Sequence, residues 1–173
     1  MQEIEVFVAT EQHLVLGRVQ TSGNRLQEVL NDSSTSFLRL KNASVFRGAT
    51  TPVRAASVLT IAKQQIAFAT ITGDRYEAPG KRAYAYADKK HCNCFVIVQG
   101  FELEGTMNLK GAIDPIFALR SELAEFFPIA DPKIGNLGAQ QPAPATVALV
   151  NKSMVSVIEI SLPAAAELAT SSH

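Results

Sequence analysis

The apolar pattern of residues 58–71 returns at residues 147–160, and that recurrence limits the chain to folds built from two like units. Val58 to Ile71 reads VLTIAKQQIAFATI and Val147 to Ile160 reads VALVNKSMVSVIEI. Val58/Val147, Lys63/Lys152 and Ile71/Ile160 are identical, and Ile61, Ile66 and Phe68 are matched by Val150, Val155 and Val157. The correspondence extends upstream. Phe7-Val8 matches Phe95-Val96 and Gly17 matches Gly105 at an offset of 88; after one inserted residue, Phe37 to Leu40 matches Phe126 to Ile129 at 89. A period this long points to a duplicated small domain, since solenoid units run to about 20–50 residues.

Each copy has the same order of signals. Ile4, Val6 and Val8 alternate with polar residues as a half-buried strand does, and Glu11-Gln12-His13 turns the chain into a second strand through Leu14, Leu16 and Val19. Asn24 is placed to cap a short helix carrying Leu26, Val29 and Leu30 on one face. In the second copy Asp114 takes the cap, Pro115 the first helical position, and Ile116, Leu119 and Leu123 the stripe. A strand follows, Phe37 to Leu40 or Phe126 to Ile129, then a polar loop containing proline, then two last strands. The pattern predicts a first β-rich repeat over 1–71, a linker or hairpin over 72–92, a second repeat over 93–162 and a frayed tail over 163–173. Phe37, Ile61, Ile66, Phe68, Phe126, Val150, Val155 and Val157 are the expected core.

The tight turn before the last strand reads I-A-K-Q-Q-I at Ile61–Ile66 and V-N-K-S-M-V at Val150–Val155. With four strands before it and one after, this order resembles the Sm-like (SH3-like) small β-barrel family, whose last two strands flank a turn of the type Ile-Arg-Gly-x-x-Val. Lysine stands here at the glycine position, and Ala62 or Asn151 at the arginine. The resemblance implies a mainly β (α+β) fold of two tandem barrel units; the one short helix read from the residues of each unit is inserted within the barrel sequence, where the family has its helix before it. It also implies rings closed by joining strand edges. The family's base-holding Asp and Asn have no counterpart, so RNA binding is not carried over with the barrel.

The 173 residues are 47% hydrophobic, enough to bury roughly 70% of the unfolded surface. No apolar run approaches the ~18 residues of a membrane span, and Glu3 and Glu5 stand where a signal peptide carries positive charge; we expect a cytoplasmic protein. The formal net charge is zero, which gives no general attraction to nucleic acid or anionic lipid. Its distribution is uneven. Residues 1–90 hold 12 Lys/Arg against 8 Asp/Glu, or +4, and residues 91–173 hold 4 against 8, or −4.

Few residues suggest chemistry. His91-Cys92-Asn93-Cys94 offers three soft-metal ligands in four positions, but only His13 and His173 remain to complete a tetrahedral site, so core cysteines are the favoured reading. Cys92 and Cys94 are also poorly spaced for a disulfide on an extended segment. Glu102 and Glu104 share a strand face but replace Leu14 and Leu16 of the other copy. That marks a face exposed in one copy and covered in the other. Phosphate-loop, dinucleotide, zincin and nucleophile-elbow motifs are absent from the sequence, and no cofactor is expected.

The first expectation is therefore a non-catalytic binding or assembly module that self-associates or binds a protein. The alternative is an RNA or single-strand binder, and an enzyme is a distant third. The alternative would use Lys63, Asn151 and Lys152 in the turns. It would also use Arg75, Lys81, Arg82, Tyr84, Tyr86, Lys89 and Lys90 in the linker, where aromatic and basic residues interleave. An ordinary hairpin explains the same linker pattern, since tyrosine favours strands and lysine guards edges.

Overall fold

The computed structural model describes residues 2–48, 51–71, 89–137 and 145–163. The first half of the chain contains β1 (Glu3–Ala9), β2 (His13–Gln20), helix α1 (Leu26–Asn31), β3 (Phe37–Arg47) and β4 (Thr51–Ala62). A 3-10 turn over Lys63–Gln65 then leads to β5 (Phe68–Ile71). The second half contains β6 (Lys90–Val98), β7 (Phe101–Leu109) and α2 (Pro115–Phe117, continued by a π-turn over Ala118–Glu122). It ends with β8 (Phe126–Gly135), β9 (Val147–Asn151), a 3-10 turn over Lys152–Met154, and β10 (Val155–Ser161). The two segments that share the apolar pattern thus share one conformation: strand, 3-10 turn, strand.

All ten strands form one antiparallel sheet in the order β10-β6-β7-β8-β9-β5-β1-β2-β3-β4. The sheet is not closed among the described residues, with β4 and β10 at its ends. The pairing registers nevertheless recur from half to half. Val6 faces Gly17 as Cys94 faces Gly105, Leu16 faces Ser44 as Glu104 faces Lys133, and Phe37 faces Ala62 as Phe126 faces Asn151. Ala9 faces Phe68 as Ile97 faces Val157. Each correspondence keeps the offset of 88 before the inserted residue and 89 after it.

Both halves bend at the same place. The registers of β2 with β3 and of β7 with β8 shift opposite Gly17 and Gly105, where Asn42 and Asp131 each take φ +48°. Asn and Asp tolerate the left-handed region, and a bulge there sharpens the local twist. The bend brings backbones close. A Cβ on Gly17 would lie 2.9 Å from Leu40 Cδ2, and one on Gly105 would lie 2.5 Å from the Ala130 carbonyl oxygen and from Ile129 Cγ2.

The core is two apolar clusters, and each borrows from the other half. One is built on the second half but includes Phe7, Leu14 and Phe68. The other is built on the first half but includes Phe126, Val147 and Leu149. Ile61, Ile66, Phe68, Phe126 and Val150 are buried as expected. Phe37 and Val157 are exposed, and Val155 is half-buried. These three sit on or beside the outermost strands, where no further strand of the described residues covers them.

The helices also differ in detail from the pattern. Arg25, not Asn24, is the N-cap of α1, because Glu28 reaches back to accept from the Arg25 amide at 2.9 Å. Asp114 does cap α2, its Oδ1 accepting from the Ile116 amide at 2.9 Å. Ile116 itself is exposed. The π-turn, closed by Leu123 N donating to Ala118 O at 2.8 Å, presents Ala118, Leu119 and Leu123 to the core instead.

Candidate functional site

The two turn lysines do the same task in both halves. Lys63 Nζ donates to the carbonyls of Val29 at 2.7 Å and Asp32 at 2.9 Å and to Thr35 Oγ1 at 2.6 Å. Three partners saturate an ammonium. Lys152 Nζ donates to the carbonyls of Leu119 at 3.1 Å and Leu123 at 2.9 Å. Each lysine therefore closes the C-terminal end of the helix in its own half, where unpaired carbonyls attract a cation. Burial holds the Lys63 amine below its ordinary pKa, opposed by the nearby Asp32 carboxylate.

Asn151 stands where the first half has Ala62, and it ties the halves together. Its amide Nδ2 donates to the Ile66 carbonyl at 3.0 Å, while its Oδ1 accepts from Ser153 N at 3.1 Å. Asn31, at the end of α1, exchanges a second pair of bonds across the halves. Nδ2 donates to Phe126 O at 2.9 Å, and Oδ1 accepts from Phe126 N at 2.8 Å. Asn31, Lys63, Phe126 and Asn151 line one cleft of about 370 Å³ at this junction.

The strands that meet there are β5 and β9. Phe68 faces Val150, Ala69 faces Leu149 and Thr70 faces Ala148, and Asn151 N donates to Ala67 O at 2.9 Å. Every residue of both strands is buried. Phe68 packs edge-on against Phe101 of the second half, ring centres 5.2 Å apart, and against Phe7 of the first at 6.4 Å.

The counterparts of these two strands, β10 and β4, end the sheet. Phe126 is 2% exposed and Phe37 60%; Phe68 is 0% and Val157 45%; Val147 is 7% and Val58 53%. The other large exposed apolar residues among those described are Val53 on β4, Leu162 just past β10, and Ile116 and Phe117 on α2, which packs against β10. Charge differs between the two ends. β3 and β4 carry Arg39, Lys41, Arg47 and Arg54 and no acid, whereas β10 carries only Glu159; β6 beside it carries Lys90, and Glu102 and Glu104 lie one strand further, on β7, where Glu104 faces Lys133.

The remaining sequence candidates do not converge. Lys90 Nζ donates to Gly111 O at 3.4 Å. Lys89 precedes β6, and Arg75, Lys81, Arg82, Tyr84 and Tyr86 lie outside the described residues. Cys92 and Cys94 are free thiols on the buried face of β6, both pushed up by burial, Cys94 to about 12. His91 lies on the opposite, exposed face, its Nδ1 3.2 Å from Asn108 Oδ1. No group of three potential metal ligands exists among the described residues. Glu102 and Glu104 are exposed, whereas Leu14 is buried and Leu16 packs on the core. The basic edge β4 and the bridging Asn31 escaped the sequence reading. A run from Phe37 to Ala62 without Asp or Glu, Arg-bearing and strand-like, was the available signal for β4.

No helix among the described residues is long and apolar enough to cross a membrane. Comparison with protein-family models, curated proteins and solved structures finds no match.

Proposed function

We propose that the chain is a non-catalytic binding or assembly module, made of two copies of one small Sm-like unit, whose working surfaces are strand edges. The recurrence of pairing register from half to half supports duplication. One observation carries the functional reading: among the described residues, large exposed apolar side chains gather on and beside the two strands that end the sheet, while Phe126, Val147 and Phe68, the counterparts of Phe37, Val58 and Val157, are buried. Proteins that work as monomers blunt such edges with charge, proline or covering loops. Here β10 has a single charge, Glu159, in seven residues, and the turn candidates Lys63, Lys152 and Asn151 are engaged in holding helix ends and the junction.

Light scattering on the intact chain across a concentration series tests the reading. A mass above 18.6 kDa in the micromolar range is the expected result. A mass fixed at 18.6 kDa into the high micromolar range removes self-association. RNA retained through purification, with release by salt, would favour the single-strand binding alternative instead.

A further inference from the structure

We propose that the first half of the chain holds a binding site for a small aromatic acid, in a cleft whose counterpart in the second half is filled by the chain's own Phe117 ring and Glu122 carboxylate. The inference goes beyond the assembly reading and needs no second chain. β2 and β3 diverge past the pair Arg18 and Lys41. Val19 and Gln20 continue along β1 alone, and Phe37 to Leu40 along β4 alone. Between the parted strands and α1 lies a cleft of about 910 Å³, within the size range of small-molecule sites. Buried Val19 and Leu38 and the exposed Phe37 line it.

The second half supplies the template. The offset of 88 runs on through the end of β2: Val19 and Met107 are both buried, as are Thr21 and Leu109, and Gly23 matches Gly111. The amides of Lys110 and Gly111 both donate to the Glu122 carboxylate, Gly111 N to Oε2 at 3.2 Å. The Phe117 ring packs so closely on Gly111 that a Cβ there would lie 2.5 Å from Phe117 Cε1. In the first half Ser33 stands in place of Glu122 and Glu28 in place of Phe117. The amide donors remain: Ser22 and Gly23 are exposed, and their amides have no partner among the described residues. Thr21 replaces Leu109 and lines the cleft, and its Oγ1 is buried without a partner, a cost that a ligand hydrogen bond would relieve. The charge left to meet a ligand is positive. Glu28 and Asp32 are committed to the amides of Arg25 and Ser34, and Lys41 to Glu3, at 2.9 Å each, whereas the Arg39 guanidinium on the same cleft has no partner among the described residues. Backbone amides and a guanidinium are the donors a carboxylate binds best, and the apolar lining suits a ring.

Phenylacetate, a ring joined to a carboxylate, is the probe, and phenylacetamide, its neutral isostere, the control. In backbone amide NMR of the intact chain, phenylacetate is expected to shift the Ser22 and Gly23 resonances saturably, with a Kd of about 1 mM or tighter. Phenylacetamide should leave them in place. Arg39→Gln should weaken phenylacetate binding about tenfold, as the loss of one hydrogen bond to a charged group does. Ser33→Glu restores to the first half the acid of the second, and should abolish binding by occupying the two amides from within. Ser22 and Gly23 resonances that do not move, equal shifts with phenylacetamide, or an affinity that Arg39→Gln and Ser33→Glu leave unchanged overturns the site. Any of these leaves the assembly reading where light scattering puts it, since the cleft lies within one chain.

Discussion

The junction strands and the end strands hold matching places in the two halves yet meet opposite surroundings. β5 and β9 are buried along their whole length, and β10 and β4 are mostly exposed. Residue type follows surroundings. Phe68 gives way to Val157, Thr70 to Glu159, and Leu149 to Thr60, so the end strands are less apolar than the junction without becoming polar. A strand meant to stay in water would be expected to carry more charge, and a permanent core strand less. This intermediate composition suits a contact that forms between separately folded chains.

The largest test of the contrast is truncation. Phe68→Ala or Phe126→Ala should cost about 3–5 kcal/mol, since each empties a fully packed site shared by the halves. Phe37→Ala and Val157→Ala should change stability by at most about 0.5 kcal/mol when unfolding is followed by denaturant at a concentration where the chain is dissociated. Equal losses at Phe68 and Val157 would show that the end strand is covered within one chain. The bend offers a second, smaller comparison. Gly105→Ala should cost about 1–3 kcal/mol, because the new methyl meets the Ala130 carbonyl as well as Ile129. Gly17→Ala should cost somewhat less, because its shortest contacts are looser, Leu40 Cδ2 at 2.9 Å, Leu40 Cβ at 3.1 Å and Ala43 Cβ at 3.3 Å, and none is a backbone atom.

Much of the fold was legible because it is local. Alternation marked β1 and β2, Asp114-Pro115 marked the start of α2, and the matched segments 58–71 and 147–160 marked two copies of strand, turn and strand. What was not legible depends on which strand neighbours which over long separations. Nothing in the alternation of Val155, Val157 and Ile158 says that β10 lies at an edge while its counterpart β5 lies under β9. The sheet order decides that, so Phe37 and Val157 were expected in the core and are exposed. Ile116 was misplaced for a local reason, a π-turn that adds a residue to the helical period. The turn lysines suggested nucleic-acid contacts. Their carbonyl acceptors are helix-end groups 29–34 residues away in sequence, a partnership no spacing rule reveals.

Those lysines sharpen the comparison between halves at lower energy. Lys63→Met leaves the Val29 and Asp32 carbonyls without their donor, and should cost about 1–3 kcal/mol. Lys152→Met should cost less, since Lys152 has two acceptors to replace and is only half-buried. Lys63 also carries a pH signature. Its folded pKa lies below the ordinary 10.5, so between the two values the unfolded chain holds more protons and stability gains from a rise in pH. That contribution should vanish in Lys63→Met, measured as the difference between the variant and native unfolding curves on the alkaline side.

The smallest effect separates Cys94 from Val6, which holds the matching place in β1. Both are buried, but only the cysteine can ionise, and burial lifts its thiol from its ordinary 9.0 to about 12. The folded chain therefore keeps a proton that the unfolded chain loses as pH climbs from about 9 towards about 12. The sign is opposite to that of Lys63: stability contributed by this group is whole below about pH 9 and declines above it. Cys94→Val, which copies the first half, should remove the decline and leave stability near neutrality almost unchanged. The same burial predicts slow chemistry. At pH 8 an aromatic disulfide reagent should find neither Cys92 nor Cys94 in the native chain and should titrate both after denaturation, since the thiolate is the reactive form. Prompt reaction of one thiol in the native chain would mean that β6 opens beside the β10 edge whose pairing is at issue.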